Sequence, residues 1–491
     1  MASRRERGLS ERVYLTGTFA EERRIPRRQR VFCNRNLRLT SNGAIGFDLD
    51  HTLAHYDPLQ VEELAFRATQ QKLVRKLGYP AAVSNIRYDP EFVIRGLVID
   101  RRKGNIVKMN YHKYVTRAFH GRKELSREQL ETYRRARINL SSERFVSVDT
   151  LFHLPEVYLY LSIIDLLEER GEKPNFVQIY KDVRAMIDQA HADGSIKNVI
   201  RGNPSRFIRI DPKLVQVIDE FRTWGKKIFL LTNSEYYYAD VLMNHLFHKR
   251  PASDTRHWTD FFDLIITEAA KPGFFDEGTR RKPAPIRKTT HPEAYKGGSA
   301  RFLEERVGHR GDEILYFGDH TYGDILRAKK SAGWRTAMVV PELEQELKIT
   351  LELQPKLRIY SGLSEERDRI DMERAALERE QNRLRMLSRE KALPRVLSRR
   401  ESKIAILQAE IDARSREIAD LAEQTATLWR ECERRYNRIW GPLFREGNEP
   451  SRFGHQVRDF ACVYTSRASN FLFYSKDHYF RSPVDLMPHE M

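Results

Sequence analysis

Five short apolar runs interrupt an otherwise polar chain: residues 44–49 (AIGFDL), 227–232 (KIFLLT), 262–267 (FDLIIT), 313–318 (EILYFG) and 335–340 (RTAMVV). They are nearly continuous rather than alternating, the pattern of strands covered on both faces, and so predict a buried parallel sheet. Helical periodicity follows over 239–247, and again over 324–332, where Gly333 supplies a stop. Strand, helix and strand in that order imply right-handed crossovers and an α/β fold with a doubly wound parallel sheet. Ligands of such sheets bind beyond the carboxyl ends of the strands.

About 170 residues separate the first run from the second, too many for one crossover, so part of this stretch is expected to form an inserted domain. Its later half, LPEVYLYLSIIDLLEERG and VQIYKDVRAMIDQAHADG, has helical spacing and predicts a mostly helical cap. Further on the chain becomes rich in Glu, Arg, Gln and Ala. Ile370, Leu377 and Leu384 stand seven apart before Pro394, and Ile404, Leu407, Ile411, Ile418, Leu421, Thr425 and Leu428 follow an a/d pattern after it. An antiparallel C-terminal helical hairpin is the simplest account. The expected organisation is a basic arm (1–37), core (38–115 and 216–363), cap (116–215), hairpin (364–437) and a C-terminal segment docking on the core (438–491).

The chain has 491 residues, 40% of them hydrophobic, which is enough for a sizeable core. No apolar run reaches eighteen residues and the start, MASRRERGLSERVYL, lacks the apolar centre of a secretory signal; a cytoplasmic protein with no membrane partner is expected. Cys33, Cys432 and Cys462 are far apart and without metal-ligand spacing, which argues against both a disulfide framework and a zinc site. A net charge of +17 favours phosphate-bearing partners. Much of it is arginine in the first forty residues (Arg4, Arg5, Arg7, Arg12, Arg23, Arg24, Arg27, Arg28 and Arg30). That stretch reads better as a solvated or oligomer-contacting arm than as a nucleic-acid reader, since no zinc finger, RRM or helix-turn-helix pattern accompanies it.

The chemistry gathers where the strands end. In GFDLDHTLAHY, a strand continuing through Asp48 and Asp50 would project both carboxylates to one side, a crowding that raises a pKa unless a cation intervenes. A turn is the plain alternative, because Asp is common at strand ends. After the second run, Thr232, Asn233 and Ser234 offer hydroxyls and backbone N–H groups for phosphoryl oxygens, with helix capping as the plain alternative. Lys271 follows the third. GDHTYGD follows the fourth, with Asp319 and Asp324 five apart. On an α-helix these would point about 140° from each other, so they converge only in a loop, for which Gly318 and Gly323 give freedom. Four acids, a lysine and a hydroxyl at parallel-strand ends suit Mg²⁺ and a phosphoryl group.

In these motifs (DxDxT, a Thr ending the second strand, a Lys and a GDxxxxD-type acid pair) the chain resembles the haloacid dehalogenase superfamily. Within it, the chain looks like the cytosolic purine 5′-nucleotidases that prefer inosine and guanosine monophosphates. Matching stretches include RGLVID, TLFHLPEVYL, DVRAMIDQAH, LTNSEYYYAD, FFDLIITEAAKPGFF, YFGDHTYGDILRAKKSAGWRT, VPELEQEL and the terminal LMPHE, so the likeness runs from about residue 30 to the end. It implies a haloacid dehalogenase-like core and a Mg²⁺-dependent 5′-nucleotidase working through an aspartyl-phosphate, with nucleoside phosphotransfer as a variant. Asp48 would be the nucleophile and Asp50 the acid and then the base. The ion would be held by Asp48, the Asp50 main-chain carbonyl, Asp319 and Asp324. Thr232 and Lys271 would bind the phosphoryl group.

In the cap, Arg184, Asp188 and His191 fall on one helix face. A surface ion pair is the plain reading; the resemblance instead implies that Arg184 and Asp188 read a purine edge, that His191 and Phe152 sandwich the ring and that Lys197 approaches the phosphate. Ala192 stands where the family commonly has an aromatic residue. Tyr322 and Lys330 match parts of the family's adenine-nucleotide effector site, but Asn139, Ser147 and Asp149 replace the expected Arg, Ile and Asn, so activation by ATP is not expected. A homo-oligomer, dimer or tetramer, is expected. A rival class is a binding protein on the same scaffold with catalysis lost.

Overall fold

The computed structural model describes residues 25–483 except 136–137, 249–253, 277, 279–280, 288, 290 and 388–392. Most of the arginine-rich start and the terminal LMPHE therefore lie outside the described residues. The described residues form two compact units, one within 25–345 and 443–483 and the other within 346–442.

All five predicted strands are present in the first unit: Ala44–Phe47, Lys227–Leu231, Leu264–Thr267, Ile314–Gly318 and Arg335–Val339. Ala44–Phe47 lies at the centre, parallel to Lys227–Leu231 on one side and to Ile314–Gly318 on the other. Leu264–Thr267 and Ala294–Lys296 extend the sheet beyond the first neighbour, while Arg335–Val339 and Val463–Thr465 extend it beyond the second, all parallel. Antiparallel edge strands, Ala284–Pro285 and Phe32–Cys33, complete nine strands among the described residues. The C-terminal segment thus enters the sheet itself through Val463–Thr465.

Both faces of the sheet are covered, as the apolar runs require. One face packs Ile45, Phe47, Leu230, Leu315 and Phe317 against Phe221, Leu242 and Phe471. The other packs Ala44, Phe229, Leu231, Ile266 and Tyr316 against Phe275, Leu303 and Trp334. Gly46 is needed where it stands, since a Cβ there would meet the Phe229 ring at 2.0 Å.

The insertion carries the expected helices, Leu154–Glu169 and Phe176–Ala192, packed with the earlier helix Pro58–Leu77. Asp57 caps the last of these through Gln60 N and Gly78 ends it in the left-handed region, at φ 68°. Beside the helices stands an antiparallel sheet that the periodicity did not predict, in the order Lys123–Glu124, Val115–His120, Asn105–Met109, Val98–Asp100, Phe145–Ser147.

In the second unit the long helices Glu342–Leu387, which begins just ahead of it, and Pro394–Tyr436 form the hairpin. The first starts well upstream of residue 364, where the change in composition had placed the hairpin. Ile349, Leu353 and Cys432 are buried together with Leu357 and Tyr436 against them, and Lys356–Glu431 and Arg414–Glu373 pair across the helices at 2.8 and 3.4 Å. No helix among the described residues is long and apolar enough to cross a membrane.

Candidate active site

The central strand stops at Phe47, so Asp48 and Asp50 lie just past its end and not in a continuing strand. The Asp48 N–H still donates to Phe317 O at 2.9 Å, which fixes the first acid to the neighbouring strand. Asp319 follows that strand directly. Asp324 returns to it through a π-helical turn, Thr321–Leu326, in which the N–H of Ile325 reaches back five residues to His320 O at 3.2 Å. The convergence expected of a loop is therefore made by a wider helical turn, a type that recurs at functional sites. The approach is so close that a Cβ on Gly318 would meet the Asp324 Cβ at 2.5 Å.

Lys271 is carried in by a loop zipped to the end of the second strand. Ala269 N donates to Thr232 O and Glu268 N to Ser234 O, each at 3.0 Å. Asn233 then clips Lys271 by accepting from its N–H at 2.7 Å and donating to its carbonyl at 3.1 Å. Glu268 and Ala270 sit at φ 48° and 58°, left-handed conformations that cost a non-glycine residue on the order of 1 kcal/mol each. The result is an ammonium 2.8 Å from Asp48 Oδ1 and 2.6 Å from Asp324 Oδ1, which also donates to the Tyr316 hydroxyl at 2.8 Å and to Leu231 O at 3.1 Å.

One carboxylate oxygen each from Asp48, Asp319 and Asp324 lies within 4.8 Å of the others. Burial pushes the Asp48 carboxyl up to about 7, with Asp324 and Asp50 adding to the rise and Lys271 opposing it. Burial and Asp324 likewise hold Asp319 well above the usual carboxylate range. Burial alone would lower Lys271, but Asp324 and Asp48 outweigh it and raise the ammonium above its ordinary value. Asp319 Oδ2 is buried with no hydrogen-bond partner. A divalent cation fits these residues: three hard oxygen donors, one orphaned, carry more negative charge than a single lysine cancels.

A prediction follows. Without a cation the native state holds protons at these acids that an unfolded chain, with aspartates near 3.8, has released, so stability falls as pH rises from about 4 to about 7. Mg²⁺ should raise the melting temperature most above that window. Asp319→Asn should raise the Mg²⁺-free melting temperature and flatten the response, as scanning fluorimetry at several pH values would show.

Asp50 stands apart from this trio. Its Oδ1 accepts from the Tyr56 hydroxyl at 2.5 Å and its Oδ2 from the Ser234 hydroxyl at 2.7 Å. Its carboxylate therefore does not join the three clustered oxygens of Asp48, Asp319 and Asp324. Ser234 clamps Asp50, and Asn233 supports Lys271. Thr232 is fully buried, its hydroxyl accepting from Ser234 N at 3.0 Å with its own hydrogen still to give.

The insert brings its candidates over the Asp50 side. Phe152 meets His51 at 4.5 Å and His191 at 6.0 Å, the latter edge-on at 82°. Burial, then Lys197, lowers the His191 pKa. Arg184 donates to Asp188 Oδ2 at 3.2 Å and also to the buried Glu156 at 2.8 Å, while Asp188 keeps 59% of its side chain exposed. Lys197 pairs with Glu235. Asp149 and Ser147 are both engaged by Arg452, at 3.3 and 2.7 Å, so the Asp149 charge is already paired.

Sequence reasoning missed four contributors. Tyr316, Tyr56 and Glu156 lie inside quoted motifs but read as apolar packing or helix surface. Arg95 is buried, donates to Asp319 O at 2.9 Å and holds Glu342 at 2.6 Å. A lone arginine opening the apolar run RGLVID was the available signal.

The 5′ nucleotidase family matches residues 31–491. A 5′-nucleotidase domain-containing protein of Dictyostelium discoideum is 31% identical over 389 residues, covering 72% of this chain and 65% of that relative, so the chain spans just under two thirds of the relative's length. Among solved structures, an archaeal β-phosphoglucomutase from Pyrococcus sp. strain ST 04 is 10% identical with a TM-score of 0.27, covering 60% of this chain and 86% of its own. The β-phosphoglucomutase of Clostridium difficile is 14% identical with a TM-score of 0.25, covering 62% and 87%. At those scores the superpositions add no weight. The family match covers the central sheet, the insert, the hairpin and every acid gathered around Lys271, and on that ground the chain belongs to the 5′ nucleotidase family.

Proposed function

We propose that the protein is a Mg²⁺-dependent, haloacid dehalogenase-type phosphohydrolase that converts purine nucleoside 5′-monophosphates to nucleoside and phosphate through an aspartyl-phosphate on Asp48. The observation that carries this reading is the Lys271 ammonium held between Asp48 and Asp324 with Asp319 Oδ2 unpartnered beside them. Magnesium, when bound by Asp48, Asp319, Asp324 and the Asp50 carbonyl, would neutralise charge on the phosphoryl oxygens.

A carboxylate oxygen of Asp48 attacks phosphorus, and the bond from phosphorus to the nucleoside 5′ oxygen breaks. Lys271 and the Thr232 hydroxyl hold the phosphoryl oxygens as charge spreads over them. Asp50 gives its proton to the departing oxygen, then takes one from the water that attacks the aspartyl-phosphate and frees Asp48. The clamp on Asp50 permits both states. Tyr56 lies 3.0 Å from the Tyr238 hydroxyl, so it can send its own hydrogen there while accepting from protonated Asp50, and turn back to donate once that proton has left. With a nucleoside in place of water, the same intermediate gives phosphotransfer.

The base preference rests on chemistry at the insert. A 6-oxopurine offers an N1–H donor beside an O6 acceptor, which suits the exposed Asp188 carboxylate next to the Arg184 guanidinium. Adenine reverses that pattern. A panel of nucleoside monophosphates with Mg²⁺, read by phosphate release, should rank inosine and guanosine monophosphates first, and Asp188→Ala should reduce their lead over AMP about tenfold or more, on the order of one lost charge-assisted hydrogen bond. Faster turnover of pyrimidine nucleotides would overturn the base assignment, and no turnover of any would favour a binding role instead.

A further inference from the structure

The hairpin carries two shallow grooves of similar size and opposite charge. One, of about 570 Å³, is lined by Arg395, Val396, Arg399, Arg400 and Lys403 together with Leu384. The other, of about 550 Å³, is lined by Asp420, Glu423, Gln424, Thr427 and Glu431 among others.

Their positions on the helix Pro394–Tyr436 are related. Arg395, Val396, Arg399 and Lys403 stand four heptads before Glu423, Gln424, Thr427 and Glu431, so the grooves share one face of the hairpin, about 42 Å apart at 1.5 Å per residue. Ile406, one heptad after Arg399 and 60% exposed, lies on that face between them. Arg395, Arg399, Asp420 and Glu423 are all exposed and make no ion pair among the described residues. Other charges on the hairpin pair with neighbours, as in Arg369 with Glu366 and Glu373 or Arg414 with Glu417.

From this arrangement we infer that the hairpin face is a self-association surface whose occupant is the same face of a second copy of this chain, laid antiparallel. A two-fold axis between the grooves sets the basic groove of each copy over the acidic groove of the other, so that one complementarity is used twice, as an isologous contact requires. Ile406 from each copy is covered near the axis. A parallel arrangement would oppose like charges and is disfavoured. The inference is independent of the catalytic reading, since none of these residues belongs to the site.

Charge exchange tests it. The full-length protein should sediment as a dimer at moderate salt and dissociate as salt is raised. Arg395→Glu with Arg399→Glu, or Asp420→Lys with Glu423→Lys, should each weaken association at least tenfold while leaving phosphate release and the helical circular dichroism unchanged. Mixing the two variants in equal amounts should restore a heterodimer, because each groove then meets its opposite. Three results would overturn the proposal: a wild type that is monomeric at all concentrations up to about 50 μM, variants that remain dimeric, or a mixture that fails to pair. A wild type that stays monomeric yet binds a single-stranded oligonucleotide through Arg395 and Arg399 would assign the basic groove to nucleic acid instead.

Discussion

Asp48→Asn is expected to lower phosphate release by on the order of 10⁴-fold or more, because an amide oxygen cannot form the covalent intermediate and nothing else at the strand end can replace it. The same substitution should leave the fold intact. Asn keeps the shape of the side chain, and it removes a carboxyl that burial already pushes up to about 7. Lys271 retains Asp324 at 2.6 Å. Activity should therefore vanish while the Mg²⁺-free melting temperature holds or rises. A variant that loses activity only in proportion to its loss of folded protein would mean that Asp48 is structural.

Lys271→Met should have the opposite profile, losing stability as well as activity. Among the described residues the lysine is the one cation in direct contact with Asp48 and Asp324, and all three side chains are at least nine-tenths buried. Removing one partner from a buried ionic group leaves uncompensated charge, which costs about 3–5 kcal/mol. The loss should be visible in urea denaturation without metal and partly offset by saturating Mg²⁺, which supplies charge to the same carboxylates. Turnover should remain low even then, because the phosphoryl oxygens have lost their ammonium. Equal stability of wild type and variant without metal would contradict the charge balance described here.

The sequence disclosed much of this site because strand ends punctuate it. Asp48, Thr232, Lys271 and Asp319 each follow an apolar run, and the topology of a parallel sheet brings such positions to one rim. Periodicity could not disclose what depends on partners far along the chain. Lys108 occupies a fully buried strand, Asn105–Met109, where Glu446 and the Arg445 carbonyl, more than three hundred residues away, meet it at 2.7 and 3.0 Å. The strands around it are short, and Val115–His120 is only intermittently buried, so alternation is weak. Gly318 and Gly323 suggested a loop where a π-helical turn forms, because the two glycines report the close approach of the chain and not its hydrogen bonding. The side chains of Ser234 and Asn233 engage Asp50 and Lys271, contacts that their place after the second strand did not indicate.

The central claim is that Asp48 takes the phosphoryl group. The most direct measurement is to mix enzyme, Mg²⁺ and inosine monophosphate, quench within one turnover, reduce with borohydride and map the protein by mass spectrometry. An acyl phosphate is reduced to the corresponding alcohol, so homoserine should appear at position 48 and nowhere else, and should be absent when Mg²⁺ is withheld. Steady phosphate release with Asp48 unmodified, or with the label at Asp50, would contradict the account.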